Sequence, residues 1–299
     1  MDSVKVLSTR SGDVDLRIQV EGAAEGPTLV LLHGYPDDLS VWDSLVEVLA
    51  PSFRIIRYDV RGCGESSAPS KRSEYRMEHL VNDLRAVILA TKNDQPVHLV
   101  AHDWGSIQAW EAVSDPFLAP IFASFTSISG PSLDYIGAQS KSDLQSREPE
   151  RLKAFLQQLS RSWYVAMFQL PVLPERAWSK NRAPRTEAAL ARRERIPQEY
   201  FATPWRAKNG KNGIQLYRAN MIGRLMRPNP RATNVPVQVI IPKHDAYVGE
   251  GIARSCEEWA NDVSFELVDG GHWFFVREPG LLSRHIRNFV TGVERTSTR

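Results

Sequence analysis

The sequence alternates short, largely apolar runs of Val, Ile and Leu with longer stretches of helical periodicity, and this alternation limits the folds open to the chain. Runs of five or six such residues are typical of strands that are buried on both faces of a sheet. Strands of that kind need helices on both faces and long crossover connections. The pattern therefore predicts an α/β fold with a mostly parallel central sheet flanked by helices.

Six apolar runs are predicted to be strands, and most of them end at a polar loop. They cover residues 27–32, 53–58, 97–101, 122–129, 237–242 and 263–268. Open parallel sheets bind ligands beyond the carboxyl ends of their strands. We therefore expect functional side chains directly after these runs.

The pattern changes between the fourth and the fifth predicted strand. From about residue 133 to 231 the sequence has helical periodicity, several prolines and few strand signals. This predicts a helical cap inserted into one sheet domain. The predicted division is residues 1–132 for the first part of the core, 133–232 for the cap and 233–299 for the second part of the core.

Composition excludes several classes of function. Lys and Arg number 37 against 35 Asp and Glu, a formal charge of +2, which argues against a nucleic-acid partner. Cys63 and Cys256 stand far apart without a CxxC motif, so neither a disulfide framework nor a metal site is predicted, and a cytoplasmic location fits best. No apolar run approaches the roughly 18 residues of a membrane span, and residues 1–16 lack the apolar region of a secretion signal.

The segment VAHDWGS at residues 100–106 has the form of a tight turn between a strand and a helix, with Asp103 at its tip. Ala101 and Gly105 flank that aspartate at the two positions where a larger side chain would collide with the strand or the helix. The helix that follows directs its amino end at the carboxylate and favours the ionised form. Asp103 is therefore a candidate nucleophile, with a simple helix cap as the alternative.

Two further residues complete a catalytic triad in the chain order that such turns require. Asp245 follows the strand 237–242, and His272 follows the strand 263–268. Asp245 is expected to accept a hydrogen bond from one ring nitrogen of His272, which leaves the other nitrogen free to take a proton from water.

Two loops after the first strands complete the predicted site. His33-Gly34-Tyr35-Pro36 follows the first strand, and we expect the backbone amides of Tyr35 and Trp104 to form an oxyanion hole. The loop DVRGCGES at residues 59–66 is rich in glycine, but it lacks the lysine of a P-loop and the spacing of a dinucleotide-binding motif. No cofactor is predicted to bind there.

The motifs HGYP, DVRGCGES, AHDWGS, HDAYV and GGHW, in this order, resemble the α/β-hydrolase superfamily, and within it the epoxide hydrolases and dehalogenases that use an aspartate nucleophile. The segments around Tyr164 and Tyr217 resemble the two cap tyrosine motifs of epoxide hydrolases. The resemblance implies conversion of an epoxide, as a small-molecule substrate, and water to a vicinal diol, without metal or organic cofactor. It also implies that the two tyrosines donate to the opening ring and that caps can pair in a homodimer.

Residues 123–134 are similar to the hydrolase part of actinobacterial proteins in which a short-chain dehydrogenase domain follows. The chain ends before such a domain, so it is expected to be either a single-domain relative or part of a longer protein. Ala101 and Pro242 depart from the family pattern, which often has glycine at both positions.

Three other functions are alternatives to an epoxide hydrolase for this sequence. A haloalkane dehalogenase would share Asp103 and Trp104, but its second halide donor is often an asparagine at the position of Tyr35. A non-catalytic ligand-binding relative would be expected to have lost a triad residue. A serine esterase would need a hydroxyl at the tip of the turn.

Overall fold

The computed structural model describes residues 4–91, 95–146, 148–197, 199 and 203–297. Eight strands within these residues form one sheet. The strands are β1 Lys5–Ser11, β2 Val14–Gly22, β3 Thr28–Leu32, β4 Arg54–Tyr58, β5 Val97–His102, β6 Phe122–Ile128, β7 Val237–Pro242 and β8 Val263–Val268.

The sheet has the order β1-β2-β4-β3-β5-β6-β7-β8, and it is parallel from β4 to β8. Each of the six predicted strands is present with its ends shifted by one residue or less, and the predicted α/β class with a mostly parallel sheet is confirmed. The antiparallel strands β1 and β2 were not predicted. Their physical signature is weak, because β1 is an edge strand with mostly exposed side chains and carries no continuous apolar run.

Helices cover both faces of the sheet. On one face lie α1 Asp43–Leu49, α11 Phe274–Arg277 and α12 Pro279–Ser297, and on the other lie α2 Met77–Ala90 and α3 Trp104–Val113. Two apolar cores result, one on each side of the sheet, and they bury the inner strands β3 to β7 on both faces. The short helix α10, Glu250–Ala253, follows β7.

Within the described residues, six further helices lie between β6 and β7. They are α4 Leu133–Gln145, α5 Pro149–Arg161, α6 Trp163–Gln169, α7 Leu173–Ala177, α8 Ala183–Glu194 and α9 Arg206–Met226. The long helix α9 packs against α4, α6, α7 and α8, so it holds these helices together. We propose residues 133–232 as one cap domain and use the word cap for them below. Among the helices that the structure describes, none has both the length and the apolar character required to cross a membrane.

Gly105 provides a test of the packing of α3 against β3. A Cβ at this position would lie 2.3 Å from the carbonyl oxygen of Leu32, a backbone atom of β3 that cannot move aside. We expect Gly105→Ala to lower the free energy of unfolding by about 3 kcal/mol, at the upper end of the cost of overpacking. Urea unfolding followed by circular dichroism measures the change.

Gly223→Ala is the matched control, because a Cβ at Gly223 in α9 meets no atom of the described residues within 4 Å. This change should stabilise the protein by about 0.5–1 kcal/mol, since alanine is the better helix former. Equal effects of the two substitutions would contradict the packing described for β3 and α3.

Candidate active site

Asp103 lies at the turn between β5 and α3, with φ 50° and ψ −123°. A positive φ is rare for a residue with a side chain and costs of order 1–3 kcal/mol, so the surrounding structure must impose it. A Cβ on Gly34 would lie 2.5 Å from the Asp103 Oδ1 atom, which explains the glycine in the neighbouring loop. The Tyr35 backbone amide donates to this Oδ1 at 2.7 Å, and the first turn of α3 points its dipole at the same carboxylate.

The structure brings His272 and Asp245 to Asp103 although up to 169 positions separate them in the sequence. His272 Nδ1 lies 2.9 Å from Asp245 Oδ2, and its Nε2 lies 3.7 Å from Asp103 Oδ2. The second distance is too long for a hydrogen bond but short enough for a strong charge interaction. Asp245 Oδ1 accepts from the amides of Tyr247 at 2.7 Å and Val248 at 2.9 Å, which fixes the carboxylate behind the imidazole.

Two carboxylates determine the charge of the buried imidazole. Burial alone would lower the pKa of His272, but the charges of Asp245 and Asp103 and the hydrogen bond to Asp245 outweigh it and raise this pKa well above its usual value. Burial would raise the pKa of Asp245, and the nearby His272 lowers it instead. The two carboxylates on either side of the imidazole therefore favour its protonated form.

This arrangement predicts that the charge at residue 103 affects the pKa of His272. In Asp103→Asn the side chain keeps its shape and loses its charge, so one of the two groups that stabilise the imidazolium is removed. We expect the pKa of His272 to fall. Nitrogen-15 NMR of labelled histidine, followed through a pH titration, measures the shift, and an unchanged or higher pKa in the variant would contradict the electrostatic coupling.

The two cap tyrosines lie together above the turn. Tyr164 on α6 and Tyr217 on α9 have ring centroids 5.9 Å apart, and the Tyr217 ring lies 4.9 Å from that of Trp104. Burial raises the pKa of both phenols, and the charge of Asp103 raises it further. Both hydroxyls therefore remain protonated donors at any ordinary pH.

The two predicted oxyanion donors are the backbone amides of Tyr35 and Trp104. The Tyr35 amide contacts the Asp103 carboxylate, as given above. Trp104 is the first residue of α3, so its amide is one of the N–H groups that have no partner inside a helix. The Tyr35 hydroxyl donates to the carbonyl of Gly210 at 3.2 Å and is therefore engaged with the cap.

Sequence reasoning missed two residues beside the imidazole. Glu194, the last residue of α8, accepts the His272 backbone amide at 3.0 Å through Oε2, and burial raises its pKa. The Tyr247 ring lies 4.9 Å from the His272 ring. Glu194 Oε1 and the Tyr247 hydroxyl are buried and have no hydrogen-bond partner among the described residues. Glu194 stands in an arginine-rich segment with no motif around it, so no local signal could have identified it.

A second missed group connects the cap to the loop after β3. Asp37 is buried, receives a hydrogen bond from Trp273 Nε1 at 2.7 Å and pairs with Arg206 of α9 at 2.9 Å. Asn209 Nδ2 donates to the neighbouring Asp38 at 2.9 Å. The signal available in the sequence was the acidic pair that directly follows HGYP, but nothing in it indicates a partner about 170 residues away.

The glycine-rich loop 59–66 is occupied by the chain itself. The Gly64 amide donates to Asn209 Oδ1 at 2.8 Å, and Lys208 Nζ donates to the carbonyls of Gly64 at 2.7 Å and Ser66 at 2.8 Å. A phosphate would have to displace these contacts. No group of three or more His, Cys, Asp or Glu side chains in the described part of the chain could hold a metal ion. A reaction without cofactor or metal stays a prediction.

Comparison with known protein families and proteins gives consistent matches. The sequence-family model described as "alpha/beta hydrolase fold" matches residues 27–279. "Probable oxidoreductase EphD" of Mycobacterium tuberculosis (strain H37Rv) is 34% identical over 288 residues, which is 93% of this chain and 48% of that protein. The chain thus spans about half the length of this relative.

Two epoxide hydrolases are also similar to the chain. "Epoxide hydrolase 2" of Caenorhabditis elegans is 24% identical over 285 residues, 90% of this chain and 75% of that protein. The solved structure of an epoxide hydrolase mutant from Vigna radiata superposes with a TM-score of 0.77 at 21% identity, over 98% of this chain and 100% of the other. At that identity the superposition shows a shared fold. The predicted resemblance to α/β-hydrolases and epoxide hydrolases is confirmed.

Proposed function

The chain belongs to the α/β-hydrolase fold family, and from that premise we propose that it is an epoxide hydrolase that forms a covalent ester on Asp103. One observation carries the proposal. The Asp103 carboxylate lies 3.7 Å from His272, which is paired to the second carboxylate of Asp245, and two tyrosines lie together on the cap side. Similarity to named epoxide hydrolases supports the same activity.

In the proposed first step, Asp103 attacks one carbon of the epoxide and the carbon–oxygen bond of the ring breaks. An alkyl ester forms on Asp103, and the ring oxygen becomes an alkoxide. Tyr164 and Tyr217 donate hydrogen bonds to that developing charge, because their raised pKa values keep them protonated. The alkoxide then takes up one proton and the imidazolium of His272 gives up one, so the alkoxide becomes a hydroxyl group and His272 becomes neutral.

The same step converts His272 into a base. When Asp103 becomes a neutral ester, the imidazolium loses one of the two charges that raise its pKa. The loss of its proton compensates for the proton that the alkoxide gains, and a neutral imidazole remains beside the ester. The base is thus produced only after there is an ester to hydrolyse.

In the second step, His272 takes a proton from water and the hydroxide adds to the carboxyl carbon of Asp103. The tetrahedral oxyanion is stabilised by the Tyr35 amide, which already contacts Oδ1, and by the Trp104 amide. The bond between the carboxyl carbon of Asp103 and the ester oxygen then breaks, and the departing oxygen takes the proton of the added hydroxyl. The diol is released, and the Asp103 carboxylate and the imidazolium are restored.

A panel of terminal, internal and long-chain epoxides with detection of the diol tests the activity, and the same panel should include haloalkanes with detection of halide. We expect diol from at least one epoxide and faster turnover than for any haloalkane. The hydrogen bond from the Tyr35 hydroxyl to Gly210 supports faster turnover of epoxides than of haloalkanes, because the Tyr35 side chain is not free to act as the second halide donor. Faster release of halide would favour a dehalogenase, and ligand binding without turnover would favour the non-catalytic alternative.

The name of the mycobacterial relative contains "oxidoreductase", but it describes a protein of which this chain matches 48%. The chain's own glycine-rich loop lacks a dinucleotide-binding motif and is occupied by Lys208 and Asn209. We therefore propose hydrolysis, not hydride transfer, for this chain. A cytoplasmic location stays a prediction.

A further inference from the structure

The cap and the core carry opposite charges. Residues 133–232 contain 19 Lys and Arg against 8 Asp and Glu, a formal charge of +11, whereas the remaining residues contain 18 against 27, a formal charge of −9. The near-neutral total conceals a strong dipole between the two parts. An anionic surface would attract the cap and repel the core, so it would orient the molecule with the cap towards it.

The positive charge of the cap is concentrated on its surface. Most cap acids are buried or half-buried, and three of them pair with arginines inside the cap: Asp134 with Arg224, Asp143 with Arg151 and Glu175 with Arg218. Three described acids of the cap are exposed, Glu148, Glu150 and Glu199. Twelve described cations are exposed: Lys141, Lys153, Arg161, Arg176, Lys180, Arg182, Arg185, Arg192, Arg193, Arg195, Lys211 and Arg227.

An apolar stripe lies on the same surface. Leu152, Leu156, Leu159 and Trp163 follow one another at helical spacing along α5 into the start of α6, and the last three are 54%, 57% and 58% exposed. No residue of α5 is buried, so the helix has an apolar face that the described part of the chain does not cover. We call these four residues the stripe.

Cations lie on α5 and near its end. Lys153 lies on α5 next to Leu152 in the sequence and pairs with Glu150 at 3.7 Å, and Arg161 at the end of the helix faces the core, where it donates to the Asp245 carbonyl at 3.1 Å. Arg193 of α8 approaches the next carbonyl, that of Ala246, at 3.4 Å, so α5 and α8 end at the same loop. A helix with Leu and Trp on one face and Lys or Arg around it is typical of binding in the interface plane of a membrane.

We propose that the cap docks through the stripe and its cations onto a lipid surface that contains anionic headgroups. The leucines and Trp163 insert among the acyl chains, and the exposed cations contact the headgroups. A second copy placed cap to cap would bring two cationic surfaces together, so charge disfavours the paired caps that the family resemblance implies. The stripe ends at the residue before Tyr164, so docking places the proposed active site next to the lipid.

Vesicle flotation tests the proposal with vesicles of phosphatidylcholine alone and vesicles that also contain phosphatidylglycerol. We expect binding to the anionic vesicles at least about tenfold stronger than to the neutral ones, and weaker in high salt. Lys153→Gln with Arg176→Gln should reduce the binding. Leu156→Ser with Leu159→Ser should reduce it by about tenfold or more and leave turnover of a water-soluble epoxide unchanged.

The matched control is Leu89→Ser with Phe117→Ser. It removes two apolar side chains from the surface of the sheet domain, outside the cap, where they are 66% and 89% exposed. It should bind the vesicles as the unchanged protein does. Absence of binding to anionic vesicles, or equal binding by the stripe variant, would overturn the proposal. A dimer that is present in sedimentation velocity and is lost in the stripe variant would also overturn it, because the stripe would then face a second copy.

Discussion

In the His272→Gln variant, we expect epoxide opening to continue while ester hydrolysis stops. Ring opening needs the Asp103 carboxylate and the tyrosine donors, and solvent can replace the proton that His272 supplies. Hydrolysis needs a base beside the ester, and glutamine cannot accept a proton from water. Turnover should fall by about 10²–10⁴-fold, the usual contribution of a general base, and the covalent ester should accumulate.

Mass spectrometry of the intact variant protein after exposure to a good substrate should show an increase equal to the mass of one substrate molecule. Peptide analysis should place it on Asp103. His285→Gln on α12 is the matched control, since that histidine lies near Glu266 of β8 and outside the site, and it should turn over normally without an adduct. If no adduct forms on the His272 variant while the unchanged protein consumes the same epoxide, the two-step scheme is wrong.

The double variant Tyr164→Phe with Tyr217→Phe should lose nearly all epoxide opening. Loss of one donor in comparable sites costs about 2.7–4 kcal/mol, which corresponds to about 100-fold to 1,000-fold in rate. Each single variant is expected to fall by up to that amount, and by less where the remaining hydroxyl compensates. Hydrolysis of a preformed ester should change much less, because it depends on the amides of Tyr35 and Trp104.

Single-turnover kinetics separate the two steps, with rapid quenching to measure ester formation and decay. Tyr58→Phe is the control, because the Tyr58 hydroxyl is buried at the end of β4 and has no hydrogen-bond partner among the described residues. That variant should open epoxides at the normal rate. Normal opening by the double cap variant would show instead that Tyr164 and Tyr217 are packing residues.

The three residues predicted as a catalytic triad share one physical property, which is a position shortly after a strand of the parallel part of the sheet. Asp103, Asp245 and His272 each follow an apolar run, and parallel strands bring such positions to one edge of the sheet. Periodicity and chain order were therefore enough to select them. The cap tyrosines could not be found in this way, because their helices have no fixed relation to the sheet, and only the family resemblance indicated them.

The contacts that position the site were beyond the reach of local patterns. Glu194 meets the His272 amide, and Arg206 meets Asp37, across 78 and 169 positions of the chain. These contacts depend on how the cap seats on the core, which no short segment encodes. The edge strand β1 was missed for a related reason, since its half-exposed pattern differs little from that of a loop.

A single turnover in water labelled with oxygen-18 tests the central claim, which is the covalent ester on Asp103. With enzyme in excess over epoxide, the account predicts that the diol carries no label, because its new oxygen comes from the Asp103 carboxylate. One labelled oxygen should appear in the peptide that contains Asp103. Label in the diol with none in the protein would mean that water attacks the epoxide directly, and this result would contradict the account.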